Sequence, residues 1–136
     1  MKPVLSILMV IALATAAGNA LAAGDPVKGK KNFRMCKTCH TLVKGKKRVG
    51  PSLYGLFGRK AASEEKYKYS KSLEAAGEKG LVWDEKNLFA YLADPTAFLK
   101  TYLGQDKVSN KMKNKFKKEV FRNDLIAYLK EATKKE

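Results

Sequence analysis

The chain has 136 residues, with 28 Lys and Arg against 13 Asp and Glu, and a formal charge of +15 with its single histidine neutral. That length allows one small domain once a leader is set aside, and two cysteines with one histidine supply only three of the four usual donors of a tetrahedral zinc site, which excludes structural zinc. So large a positive surplus favours acidic partners met through a salt-sensitive encounter, without saying which they are.

Residues 1–22 come first. They carry Lys2, an apolar run from Val4 to Ala17, and then Gly18-Asn19-Ala20-Leu21-Ala22, where Ala20 and Ala22 form an A-x-A cleavage pattern. This reads as an export signal peptide, cleaved to leave a single domain over 23–136. The run is too short and too weakly flanked for a spanning helix; an uncleaved anchor is the alternative. The signal holds only Lys2 of the charges, so the mature chain keeps 27 cations against 13 acids. Export implies the periplasm, and with the spread of the lysines along the chain it argues against nucleic acid as a partner.

Asp25-Pro26 then reads as a helix N-cap followed by proline at the first helical position, opening a helix toward Cys39. Gly29, Phe33 and Cys36 share one face of it. The helix delivers Cys36-Lys37-Thr38-Cys39-His40, a C-x-x-C-H arrangement. Two thiols three positions apart on one turn can each add to a haem vinyl group, and the adjacent histidine then serves as proximal ligand to the iron. A redox dithiol is the first alternative, but it belongs beside a βαβ pattern, and the residues before Cys36 are Lys-rich and helix-like. A Cys36–Cys39 disulfide is the second, and it would close too short a loop to constrain the unfolded chain much.

Beyond the motif, Thr41 to Tyr69 reads as loop. Ser70 caps a helix over Lys71 to Ala76, ended by Gly77; Asp84 caps Glu85 to Ala93; Asp94-Pro95 opens a further helix that ends near Gly104. Gln105 to Lys115 again reads as loop. Phe121, Leu125, Tyr128, Leu129 and Ala132 then follow helical spacing within a helix over Lys118 to Thr133. Gly29 would let the two terminal helices cross closely, with Phe33 against Leu125 and Tyr128. No stretch alternates as a strand, so the expected class is all-α. So much loop counts against a small packed domain unless a central cofactor gives the loops something to fold on.

With one histidine, the haem iron cannot take two. Met35 and Met112 are the soft donors left after processing. Met35 adjoins the attachment turn on the proximal side, whereas Met112 lies far along the chain in Asn110-Lys111-Met112-Lys113-Asn114-Lys115, an apolar residue among polar ones. Met112 is therefore the expected sixth ligand, with a lysine ligand or an open site as alternatives. A His-Met pair raises the potential and leaves no coordination position for substrate, which points to electron transfer. An open sixth position would instead suit a small haem peroxidase or a gas sensor.

These stretches together resemble a class I c-type cytochrome, most similar to the bacterial cytochrome c2 branch and also to mitochondrial cytochrome c. The similarity rests on Asn32-Phe33 before the haem motif, Val49-Gly50-Pro51-Ser52-Leu53-Tyr54-Gly55-Leu56-Phe57-Gly58-Arg59-Lys60, Trp83, Tyr91-Leu92-Ala93-Asp94-Pro95, Lys111-Met112, and Arg122 to Leu129. It covers essentially the whole mature chain. It implies terminal helices that cross, with short helices and loops wrapped around one covalently attached haem c. It also implies a Pro51 carbonyl against the His40 ring, Arg59, Tyr69 and Trp83 hydrogen-bonded to the haem propionates, and Tyr91 near the Met112 sulfur. By the same resemblance the chain is a soluble monomeric periplasmic electron carrier and not an enzyme. Its partners are acidic docking surfaces of membrane redox complexes: a bc1-type donor, and an oxidase or photosynthetic reaction centre as acceptor. Asn114 departs from the family pattern, standing where many relatives have an aromatic.

Overall fold

The computed structural model describes residues 23–135. The signal peptide expected over 1–22 lies outside the described residues. Those residues form five α-helices: α1 (Pro26–Asn32), α2 (Lys71–Glu78), α3 (Glu85–Ala93), α4 (Pro95–Leu103) and α5 (Glu119–Ala132). A 3₁₀ turn spans Phe33–Met35, and the only pairing of extended backbone among the described residues is a bridge between Lys60 and Val82.

Asp25 starts α1 as expected, its Oδ1 accepting from the backbone N–H groups of Val27 at 2.9 Å and Lys28 at 3.2 Å. The helix does not continue to Cys39. After Asn32 the chain tightens, with Cys36 N–H donating to Phe33 O at 2.9 Å and Cys39 N–H to Cys36 O at 3.1 Å. The same two carbonyls also accept from Lys37 N–H at 3.0 Å and His40 N–H at 2.9 Å, so the segment that carries the cysteines mixes 3₁₀ and α bonding.

Crossing of α1 and α5 depends on Gly29. A β-carbon there would lie 1.9 Å from the backbone oxygen of Asp124 and 2.7 Å from Tyr128 Cβ, so no other residue fits. Phe33 packs on Tyr128 with ring centroids 5.4 Å apart. The buried Asp124 carboxylate accepts from Asp25 N–H at 2.7 Å, fixing the entry to α1 from the far end of the chain.

The middle helices begin on the expected caps: Ser70 Oγ accepts from Leu73 N–H, Asp84 from Asn87 N–H, and Asp94 from Ala97 N–H. Asp94 is extended, with φ −159°, so one residue ends α3 and starts α4 at an angle to it. Leu81, Leu99 and Leu125 are fully enclosed at the centre of the packing. The long loop after the cysteine motif hangs on this frame through Gly55 N–H to Thr133 O at 2.7 Å, Gly58 N–H to Trp83 O at 2.8 Å and Ala61 N–H to Leu81 O at 2.8 Å.

Candidate haem centre

Two adjoining cavities, of about 370 and 110 Å³, share Cys36, His40, Pro51, Tyr67, Lys111 and Met112 in their walls. Cys39 lines the larger one; Arg59, Tyr69, Trp83 and Tyr91 line the smaller. The structure thus gathers around one space every side chain that the sequence singled out for the site.

His40 is fixed from below. Its Nδ1 lies 2.8 Å from Pro51 O, and since a carbonyl only accepts, Nδ1 carries the proton and Nε2 keeps its lone pair. Gly50 makes this approach possible, because a β-carbon there would sit 2.5 Å from His40 Cε1. Burial holds the imidazole pKa below its ordinary value, opposed by the Pro51 hydrogen bond and assisted by the Arg59 charge. The ring is accordingly a neutral donor. Cys36 and Cys39 are free thiols, not a disulfide, and burial, with Cys39 beside it, pushes Cys36 up to about 11.

Met112 reaches the cavity from the loop between α4 and α5, half-buried and packed against the core. Trp83 and Tyr91 meet edge to face at 4.9 Å, and Tyr91 meets Phe98 in the same way at 5.7 Å, so α3 and α4 present one aromatic wall. Burial, and then the neighbouring Tyr67, raise the pKa of the Tyr91 hydroxyl and keep it protonated. Burial likewise raises that of Tyr69, whose hydroxyl accepts from Glu64 N–H at 3.3 Å and retains its own proton for donation. Three of the five guanidinium N–H donors of Arg59 are in use: Nη1 donates to Tyr54 O at 2.9 Å and Glu64 Oε2 at 3.1 Å, and Nη2 donates to Ser52 O at 2.9 Å.

Tyr67 and Lys111 also frame the space, and no motif in the sequence assigns a role to either side chain. Tyr67 hydroxyl donates to Val49 O at 2.9 Å, tying the loop after the cysteine motif to the histidine side. Lys111 Nζ donates to Lys68 O and sits 5.5 Å from the Tyr67 ring centroid. Both link segments distant in sequence, so no local spacing could reveal them.

Two thiols at the mouth, a neutral imidazole with its lone pair free, a thioether, and walls of leucine and aromatic rings fit a covalently held haem in their donor set and their polarity. The fold and the site together define a c-type haem protein. The comparisons specify which kind. The chain is 42% identical to cytochrome c2 of Cereibacter sphaeroides over 117 residues, covering 79% of this chain and 94% of that one. It is 48% identical to cytochrome c2 of Rhodopseudomonas palustris over 111 residues, covering 77% and 96%. The solved structure of cytochrome c2 from Rhodospirillum centenum superposes with a TM-score of 0.77 at 42% identity, over 82% of this chain and all of that one. No protein-family model matches the chain. The chain belongs to the class I c-type cytochromes, in the cytochrome c2 family. It is therefore an electron-transfer protein, not an enzyme, with one haem c as its cofactor.

Proposed function

We propose that this protein is a soluble, monomeric periplasmic carrier that moves single electrons between membrane redox complexes. In this reading the domain over 23–136 is released by cleavage of the signal at 1–22. Cys36 and Cys39 would hold the haem through two thioether bonds, and His40 Nε2 and the Met112 sulfur would be the two protein ligands of its iron. When bound, the haem iron supplies a one-electron ferrous/ferric couple whose potential a thioether ligand raises. Pro51 keeps the imidazole in one tautomer and increases its basicity. Tyr69, Trp83 and the two uncommitted donors of Arg59 stabilise the propionates, and Tyr91 packs beside the thioether. A neutral His40 and Met112 lining one cavity together with both cysteines is the observation that carries this assignment.

Charge supports the choice of partner. From Pro26 to Ser63 the chain contains eleven Lys and Arg and no Asp or Glu, and this stretch carries the haem motif itself. Lys47, Arg48, Lys68 and Lys111 rim the larger cavity. Such a face orients the protein on an acidic surface and speeds encounter without requiring a large interface. Acidic docking surfaces of a bc1-type donor and of an oxidase or reaction-centre acceptor fit it; nucleic acid does not suit an exported chain. The test is the second-order rate of electron transfer to a membrane oxidase across a salt series. The rate should fall steeply as ionic strength rises, and a flat response would overturn the steering.

A further inference from the structure

The geometry points to Asn110 as the residue that positions Met112, and so sets how firmly the thioether is presented to the iron. The inference rests on Met112 being the axial ligand. Asn110 uses both ends of its amide on one residue two positions ahead: Oδ1 accepts from Met112 N–H at 3.2 Å, and Nδ2 donates to Met112 O at 2.6 Å. Nδ2 also lies 3.3 Å from Thr96 Oγ1 in the first turn of α4. The backbone of Met112 is thus held on its donor and on its acceptor, and the clamp is moored to a helix.

The residue before the clamp is moored as well. Ser109 N–H donates to Ser72 Oγ at 2.8 Å, and Ser72 N–H donates to Ser109 Oγ at 3.2 Å, joining the loop to the first turn of α2. Residues 109 to 112 therefore hang between α2 and α4, with Asn110 the piece that reaches Met112 itself. Its two contacts demand an amide. A carboxylate keeps the acceptor for Met112 N–H but turns an oxygen toward Met112 O, and alanine supplies neither group.

The test compares holoprotein carrying Asn110→Asp, Asn110→Ala, Met112→Ala or Thr133→Val with the unaltered protein. Imidazole titration of the ferric form and the near-infrared thioether-to-iron absorption band are the readouts. Thr133→Val removes a buried hydrogen bond to Leu129 O at the far end of α5 and controls for a general loss of stability. A competing ligand gains whatever fraction of open site the loosened clamp provides, so both Asn110 variants should bind imidazole about tenfold more tightly, with a weakened band. Thr133→Val should keep the unaltered affinity. If the Asn110 variants keep the unaltered affinity and band while Met112→Ala loses the band, the positioning role is overturned and the ligand assignment survives. If Met112→Ala keeps the band, the assignment itself falls, and the positioning role with it.

Discussion

Arg122 brings a cation into the core, with only 5% of the residue exposed. Its Nη1 donates at 2.7 Å to both Phe116 O and Lys117 O, and the guanidinium carbon stands 4.1 Å from the centre of the Phe89 ring. Two carbonyls at the approach to α5 depend on it, just beyond the loop that carries Met112. Arg122→Ala leaves both without a donor and opens a cavity against Phe89, so the holoprotein should lose about 3 kcal/mol in urea unfolding. A loss below about 1 kcal/mol would show that the arginine is not structural. His40, by contrast, was legible from the sequence because C-x-x-C-H places it one residue from its anchors. Tyr67 and Arg122 were not, because their partners are backbone carbonyls that only the folded chain brings near. A hint existed for Asn110 alone, since an asparagine two positions before another residue often bonds that residue's backbone.

The caps of the helices respond to acid in a way that can be signed. Asp94 accepts from Lys115 Nζ at 2.7 Å and from Ala97 N–H at 3.1 Å, and these bonds, Lys115 first, hold its pKa below 3.8. Asp25 is lowered too, chiefly by the Lys28 N–H. A carboxylate whose folded-state pKa lies below its unfolded one contributes its stabilisation fully above the unfolded value. That contribution is lost as pH falls through the folded value. Asp94→Asn keeps an acceptor for Ala97 and removes the charge, so its unfolding free energy should vary less than that of the unaltered protein between about pH 4 and pH 2. Equal pH slopes in urea titrations would contradict the linkage. These caps are also where the sequence spoke most clearly, since Ser70, Asp84 and Asp94 start α2, α3 and α4 as short polar side chains before apolar runs. The end of α1 was not legible. Asn32 to Cys36 suits either helix type, and only the folded chain shows the change to a 3₁₀ turn over Phe33–Met35.

At the scale of the molecule, the five helices of the described residues frame long loops that would be poorly packed without a group at their centre. The cysteine turn, the loop pinned at Gly50 and Pro51, and the clamped Met112 segment all converge on the two adjoining cavities. The cysteine motif lies within the long stretch that has no acidic residues, so the segment that carries the cofactor is strongly positive. A carrier that meets its partners briefly needs little rearrangement when its iron changes oxidation state, and the pinned His40 and clamped Met112 backbone suit that need. The most direct test is carbon monoxide titration of the reduced holoprotein beside its Met112→Ala variant, with the reduction potential of each recorded. The native protein should resist carbon monoxide, while the variant should bind it stoichiometrically at a sharply lower potential. Rapid binding by the native protein, or a variant with unchanged potential, would contradict Met112 as the axial ligand.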